Sequence, residues 1–316
     1  MFVTGVHAGP TAPIQHTDRP TAPTGQTGGA TASGRVDGPA RAGPLRLARV
    51  VVDPGVPPTS GHGYAPAVAG YLADLAGLHG LPDRPADFAG AARTTFTDLV
   101  RPLVAEVAGK PTELVVLAHV TPDAEPGWPA SFLTGALPGA PLAFAVADQG
   151  VAAPFTALRI AQAYAGAEDF DRALVVLLDQ GTFLTAGAPP PVRTGLVAVL
   201  LERAGELGAV STRVLSGVAP HEVRPALATA LAEFPGAVVT GPAAAPPAGR
   251  PATGGWRRLA RRLPTGPSSG AAGAKHPVAL AEYDVTARCL GVCVVTPAAA
   301  GGTAGHEAAE RPEAPS

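Results

Sequence analysis

Glu113-Leu114-Val115-Val116-Leu117-Ala118-His119-Val120 decides the fold. Apolar side chains fill odd and even positions alike through most of this run. A strand with one wet face alternates, whereas a strand covered on both faces does not. The run therefore predicts a central strand with helices on either side. Leu142-Ala143-Phe144-Ala145-Val146-Ala147 and Ala173-Leu174-Val175-Val176-Leu177-Leu178 read the same way. Short helices over about 128–137 and 152–166 separate the three runs. Strand, helix, strand in that rhythm implies parallel pairing and a layered α/β fold.

Toward the N-terminus, Leu47-Ala48-Arg49-Val50-Val51-Val52 is a short strand ended by Asp53-Pro54-Gly55. Helical patterns follow over about 65–79 and 86–108. In the second, Phe88, Ala92, Phe96, Leu99, Leu103 and Val107 recur at spacings of three and four and mark one buried face. Pro102 inside this pattern predicts a kink or break. Toward the C-terminus the rhythm changes after Gly187. Strands at Gly195–Leu201 and Ser211–Leu215 come in succession. A helix over about 222–233 and a brief strand at Ala237–Thr240 follow. A basic helix over about 255–263 precedes a closing hairpin, Val278–Tyr283 and Ala287–Val295, turned at Asp284.

Of 316 residues, 46% are apolar and 15% charged, which is ample for a sizeable core. The 39 glycines and 36 prolines crowd into residues 1–44, the stretch from Pro242 to Gly255, and the last 20 residues. These read as tails and a loop, because such stretches bury too little apolar area to offset chain entropy. The formal charge of −2 supplies no global field toward nucleic acid or membrane. No apolar run approaches the ~20 residues of a membrane helix. The opening residues lack the basic start and apolar block of a signal peptide, so the expectation is a cytoplasmic protein. Cys289 and Cys293 in one strand would lie about 13 Å apart, beyond the ~7 Å a disulfide tolerates, and read as buried thiols. The eight histidines are scattered, without ligand spacing, and no metal or other cofactor is expected.

Several segments, taken in order, resemble the ketosynthase III group (3-oxoacyl-ACP synthase III) of the thiolase superfamily. Leu114–Val120 with Thr121-Pro122-Asp123 is similar to that family's strand and "TPD" turn. Phe144-Ala145-Val146 resembles the strand entering its nucleophile elbow, and Thr156-Ala157-Leu158 onward resembles the elbow helix. Arg172-Ala173-Leu174-Val175-Val176, Leu196–Glu202 and the terminal hairpin are similar to later strands of the family. The resemblance implies a thiolase-like layered α-β-α fold. The first half would span 45–186 and be near complete; a shortened, degenerate second half would span 187–296. Disordered tails would lie at 1–44 and 297–316.

The departures bear on function. Such enzymes place a cysteine on the elbow turn, where the helix N-terminus lowers its pKa and the thiolate takes up the acyl chain. Here the turn reads Ala147-Asp148-Gln149-Gly150-Val151-Ala152. Counting from the strand puts the cysteine position at Gly150; counting back from the helix puts it at Val151. Neither residue can attack a carbonyl. The chain contains no asparagine, so a Cys-His-Asn set cannot be assembled. Pro220-His221-Glu222 resembles the family's "PHQ" segment but lies closer to Glu202 than that segment would; His221 reads either as the family histidine or as a loop residue beside a helix.

Asp148 is a candidate general base or a helix cap. Gln149 is a candidate active-site amide or a polar turn residue. Gly150, Asp179 and Gln180 are candidate substrate contacts, since α/β folds place ligands at the C-terminal ends of parallel strands. Arg257, Arg258, Arg261 and Arg262 form a basic segment suited to docking an acidic acyl carrier protein, or a solvated helix face. The reading that follows is a ketosynthase-like protein of polyketide or fatty-acid-type secondary metabolism. It would be non-condensing and act as an acyl-binding or chain-length-factor-like partner. An active acyltransferase or malonyl decarboxylase using Asp148, Gln149 and His221 is one alternative; an unrelated α/β small-molecule binding protein is another. The implied partners are an acyl carrier protein or acyl-CoA, and a second copy or an intact ketosynthase paired through the edge strand at 142–147.

Overall fold

Nine strands form one continuous sheet in a computed structural model, which describes residues 43–55, 66–78, 94–123, 128–181, 192–243, 250–263 and 276–297. The strands are β1 (Arg46–Val52), β2 (Leu114–His119), β3 (Leu142–Val146), β4 (Arg172–Asp179), β5 (Gly195–Glu202), β6 (Gly208–Ser216), β7 (Val238–Ala243), β8 (Val278–Asp284) and β9 (Cys289–Thr296). Their order is β3-β2-β4-β5-β1-β6-β9-β8-β7. The helices are α1 (Pro66–Leu78), α2 (Phe96–Val107), α3 (Pro129–Ala136), α4 (Ala153–Glu168), α5 (Val223–Leu231) and α6 (Gly254–Ala260). Apart from 43, 44 and 297, the expected tails lie outside the described residues.

The continuous apolar runs do what their pattern predicts. In β2, β4 and β5 alternate residues enter two different cores. Val116, Val175 and Val199 face inward with Phe155, Leu158 and Ala161 of α4. Val115, Val176 and Ala198 face outward onto Phe96, Leu103 and Val107 of α2 and Leu133 of α3. The second part of the sheet is also two-faced. Leu280 and Cys293 share the inner core with α4 and with Trp256 and Leu259 of α6. Ala281, Leu290 and Val292 face outward onto Val223 and Leu227 of α5. Five layers result: α2 and α3, the strands β3-β2-β4-β5-β1, α4 and α6, the strands β6-β9-β8-β7, and α5. The expected α-β-α layering is present, and a further strand layer and helix layer extend it.

The two sheet parts meet through β1 and β6 over two residue pairs, Arg46 with Ala209 and Leu47 with Gly208. β5 pairs with β4 and β1, so by pairing the first part of the sheet runs through Glu202. Its neighbour β6 runs along β9 and belongs to the second part. Polar bonds pin β4 at its start: the Glu113 carboxylate accepts from the Asp171 and Arg172 amides at 2.7 and 3.0 Å. Arg172 pairs with Glu202 at 3.1 Å.

The helix expected at 86–108 is observed from Phe96, with residues 79–93 outside the described set. It runs through Pro102 to Val107 without the predicted break. Its start explains why: Thr95 and Asp98 form a capping box, and Asp123 accepts from the Phe96 amide at 2.8 Å. With the N-terminal turn fixed and Leu99, Val100, Leu103 and Val107 buried, the one hydrogen bond that proline removes is offset by packing.

Candidate functional site

The elbow is the turn between β3 and α4. Val146 ends the strand, and a 3-10 turn at Gly150–Ala152 leads into the helix. Gly150 has φ of +51°, a left-handed conformation that glycine accepts most readily. It also has a close neighbour: a Cβ there would meet Oδ2 of Asp284 at 2.2 Å, so the Asp284 carboxylate would have to move to admit a side chain. Asp284 ends β8, and its other oxygen accepts from the Thr286 and Ala287 amides, both at 2.9 Å. A carboxylate from the closing hairpin thus lies over the elbow, and the next residue, Val151, is buried.

Asp148 and Gln149 are exposed on the approach to this turn. Asp148 has φ of +59°. Neither the 3-10 turn nor α4 has a side-chain cap, so the capping role considered for Asp148 is not taken. The residues at those two N-cap positions are Gln149 and Ala152. His221 lies in the 3-10 turn Pro220–Glu222, exposed, on the side where α5 packs on the outer face of β8 and β9. The elbow opens onto the middle layer.

Asp179 and Gln180 are fully buried at the end of β4. One Asp179 oxygen accepts from the Ala252 amide at 2.8 Å; the other accepts from the Thr253 amide at 2.9 Å and its hydroxyl at 2.6 Å. Burial pushes its pKa up, against these three hydrogen bonds and Arg250. The Gln180 amide N–H donates to Thr121 Oγ1 at 2.9 Å, and its side chain donates to the Thr94 carbonyl. Both residues therefore tie strand ends to neighbouring segments.

The four arginines divide. Arg257 turns inward to pair with Asp53 at the end of β1, and Arg258 lies 3.5 Å from Glu282 of β8. Arg261 and Arg262 are exposed. The expected basic face is reduced to this second pair, because the helical turn places 257 and 258 over the two strand ends. Trp256, between Gly255 and Arg257, packs its ring 5.4 Å from that of Phe155 on α4.

Glu282 escaped the sequence reading. It is 2% exposed and faces the middle layer, where Gly255 makes room: a Cβ on Gly255 would come within 2.1 Å of its Oε1. Burial first, and Asp179 beside it, push its carboxyl up to about 8, against Arg258 and the Gly255 amide. The signal was present as the one charge inside Val278-Ala279-Leu280-Ala281-Glu282-Tyr283. Cys289 and Cys293 are free, buried thiols, with burial pushing Cys293 up to about 12, so neither is poised as a nucleophile. Among the described residues, no group of three or more His, Cys, Asp or Glu could hold a metal ion, and no helix is long and apolar enough to cross a membrane.

A five-layered stack with a strand-to-helix elbow at its middle layer is a layered thiolase-like fold, shared with a solved acyltransferase structure. ChlB3, an acyltransferase, superposes with a TM-score of 0.53 at 16% identity, covering 81% of this chain and 98% of its own. A 3-oxoacyl-(acyl-carrier protein) synthase from Burkholderia xenovorans matches over 81% of this chain and 95% of its own, at 12% identity and TM-score 0.49. OleA of Xanthomonas campestris, solved with lauric acid and lauroyl-CoA, matches over 81% and 100% at 14% identity and TM-score 0.49. The sequence itself matches no family model and no curated protein.

Proposed function

We propose that this protein is a non-condensing, ketosynthase-like member of polyketide or fatty-acid-type secondary metabolism in the cytoplasm. In this reading it binds an acyl group without bonding to it, or shapes the acyl channel of a partner ketosynthase. One observation carries the reading: the elbow turn holds Gly150 and the buried Val151, neither a nucleophile, and the Asp284 carboxylate lies where a side chain on Gly150 would project. Acyl transfer through a covalent intermediate needs a nucleophile there. An anion at that place also opposes the negative charge that grows on a thioester oxygen during attack.

The edge strand β3 supports pairing with a second copy or with an intact ketosynthase. Leu142 is 49% exposed there, and Phe144, Tyr164 and Phe170 form a row of rings with centroids 5.9 and 6.4 Å apart. An unpaired edge with apolar side chains is suited to joining another strand. Arg261 and Arg262 are the part of α6 and its following turn left to steer an acidic carrier protein.

The test is incubation with acyl-CoA and acyl-carrier thioesters, alone and with a candidate ketosynthase, read by intact-mass spectrometry and product analysis. The expected outcome is no adduct on the isolated protein and altered product length in the mixture. Turnover by the isolated protein would instead support the reading in which Asp148, Gln149 and His221 act catalytically. No response to thioesters in either arm would favour a binding protein unrelated to acyl chemistry.

A further inference from the structure

The strand ends at Asp53, Asp179 and Gly195 bring three arginines together. Arg250, in the segment leading into α6, and Arg257, on α6, both border the space that a side chain on Gly195 would fill. A Cβ there would overlap Nη1 of Arg250 and lie 3.1 Å from Nη2 of Arg257. Arg193, two residues before Gly195, is exposed at the rim and repels Arg250. Among the described residues Arg250 makes no ion pair, and its Nη1 is buried without a hydrogen-bond partner. Arg257 donates from Nη2 to Asp53, while its Nε, the other prong of the same fork, is buried and unfilled. The carboxylates facing Arg250 are committed elsewhere. Asp53 accepts from Arg257 with one oxygen and from the Leu196 amide with the other, at 2.9 Å. Both oxygens of Asp179 are taken by Ala252 and Thr253. Three guanidiniums against two carboxylates leave one positive charge uncompensated.

We propose that Arg250 and Arg257, with Arg193 at the rim, form a binding site for an oxyanion, the carboxylate or phosphate ester of a small molecule. Two observations of different kinds meet here. Buried donors without acceptors are costly, and in a native fold they call for a group that completes them. The excess of positive charge gives that group its sign. A guanidinium fork matches paired oxygens of a carboxylate or phosphate, and Nη1 of Arg250 and Nε of Arg257 are the prongs left open. The backbone between the two arginines is set in advance. Asp179 holds the Ala252 and Thr253 amides, and the Gly254 amide donates to the Arg250 carbonyl at 3.0 Å. Little ordering is then left for a ligand to impose. The position, at the C-terminal end of β4, is one where α/β folds place ligands. The site does not rest on the acyl reading, since no residue of the elbow contributes to it.

Titration of the full chain with sodium acetate and with sodium dimethyl phosphate tests this, each against sodium chloride at the same ionic strength. The readout is nitrogen-15 NMR of the arginine side chains. The Nε–Hε signals of Arg250 and Arg257 should shift together and saturate at one midpoint. A lower midpoint for acetate identifies a carboxylate ligand, and a lower one for dimethyl phosphate identifies a phosphate ester. Arg250→Gln should raise the midpoint, followed at Arg257, by about tenfold or more, the worth of a hydrogen bond to a charged group. Arg250→Lys keeps the charge without the fork and should raise it by about threefold or more. Signals that stay still with both probes, or that respond equally to chloride, overturn the proposal. So does a midpoint in Arg250→Gln equal to that of wild type. Should neither variant fold, the wild-type titration decides by the same criterion: a shared, saturating shift supports the site, and its absence overturns it.

Discussion

The two parts of the sheet are variations on one plan. In the first, β2 and β4 pair in parallel, β5 closes antiparallel on β4, and β1 lies antiparallel on β5. In the second, β7 and β8 pair in parallel, β9 closes antiparallel on β8, and β6 lies antiparallel on β9. The inner helices α4 and α6 precede corresponding strands, as do the outer helices α2 and α5. What the second part lacks, among the described residues, is a counterpart of α3 and β3. This leaves β7 as an edge, with Val238 and Val239 at 42% and 38% exposed. A register shift between Thr240 and Ala243, with Pro242 inside it, interrupts pairing along that edge. Repetition of a plan therefore preserved the hydrogen-bonding order while the finishing of its ends diverged. The carboxylate at the end of β4 is fully bonded, and the one in β8 is not.

That contrast predicts its largest effect at Asp179. Asp179→Ala leaves two buried amides and a hydroxyl without an acceptor, at about 1–3 kcal/mol each. A loss of about 3 kcal/mol or more is expected in urea unfolding; a loss under about 1 kcal/mol would erase the distinction between the two strand ends. A middle-sized effect is expected where the second part accommodates the first. Gly291 of β9 lies under Phe155 of α4, and a Cβ there would meet Cδ2 of the ring at 2.4 Å. Gly291→Ala should cost about 1–3 kcal/mol by overpacking, measured by thermal unfolding. The smallest effect separates the two edges. Leu142→Lys on β3 and Val238→Lys on β7 should each change stability by no more than about 0.5 kcal/mol. Sedimentation should show self-association, or association with a ketosynthase, lost only in the β3 variant.

The sequence made the fold legible where a run had a single physical meaning. Leu114–Ala118 and Ala173–Leu178 are apolar at every position, and only a strand between two helical layers accommodates that. Pro102 misled because the start of α2 is held not only by its Thr95–Asp98 capping box but also by Asp123, 27 residues away from the Phe96 amide it binds. The vacancy at the elbow was also legible, since Gly150 and Val151 carry no nucleophile in any conformation. The surroundings were not. That Asp284 comes to lie over Gly150, that Asp179 holds the start of α6, and that Arg257 and Arg258 turn inward all depend on how two distant parts of the sheet come together. A local pattern carries no information on that juxtaposition.

The two-faced packing of β4 has a cost during folding. Strands with one wet face are guarded against mispairing, because a slip by one residue drives polar groups into the interior. Here a slip would exchange one apolar set for another. Correct alignment must therefore be enforced at the extremities, by Glu113 and Glu202 at one end and by Thr253 holding Asp179 at the other. Chains that collapse before those few polar contacts form would be trapped in shifted pairings that are nearly as greasy as the native one.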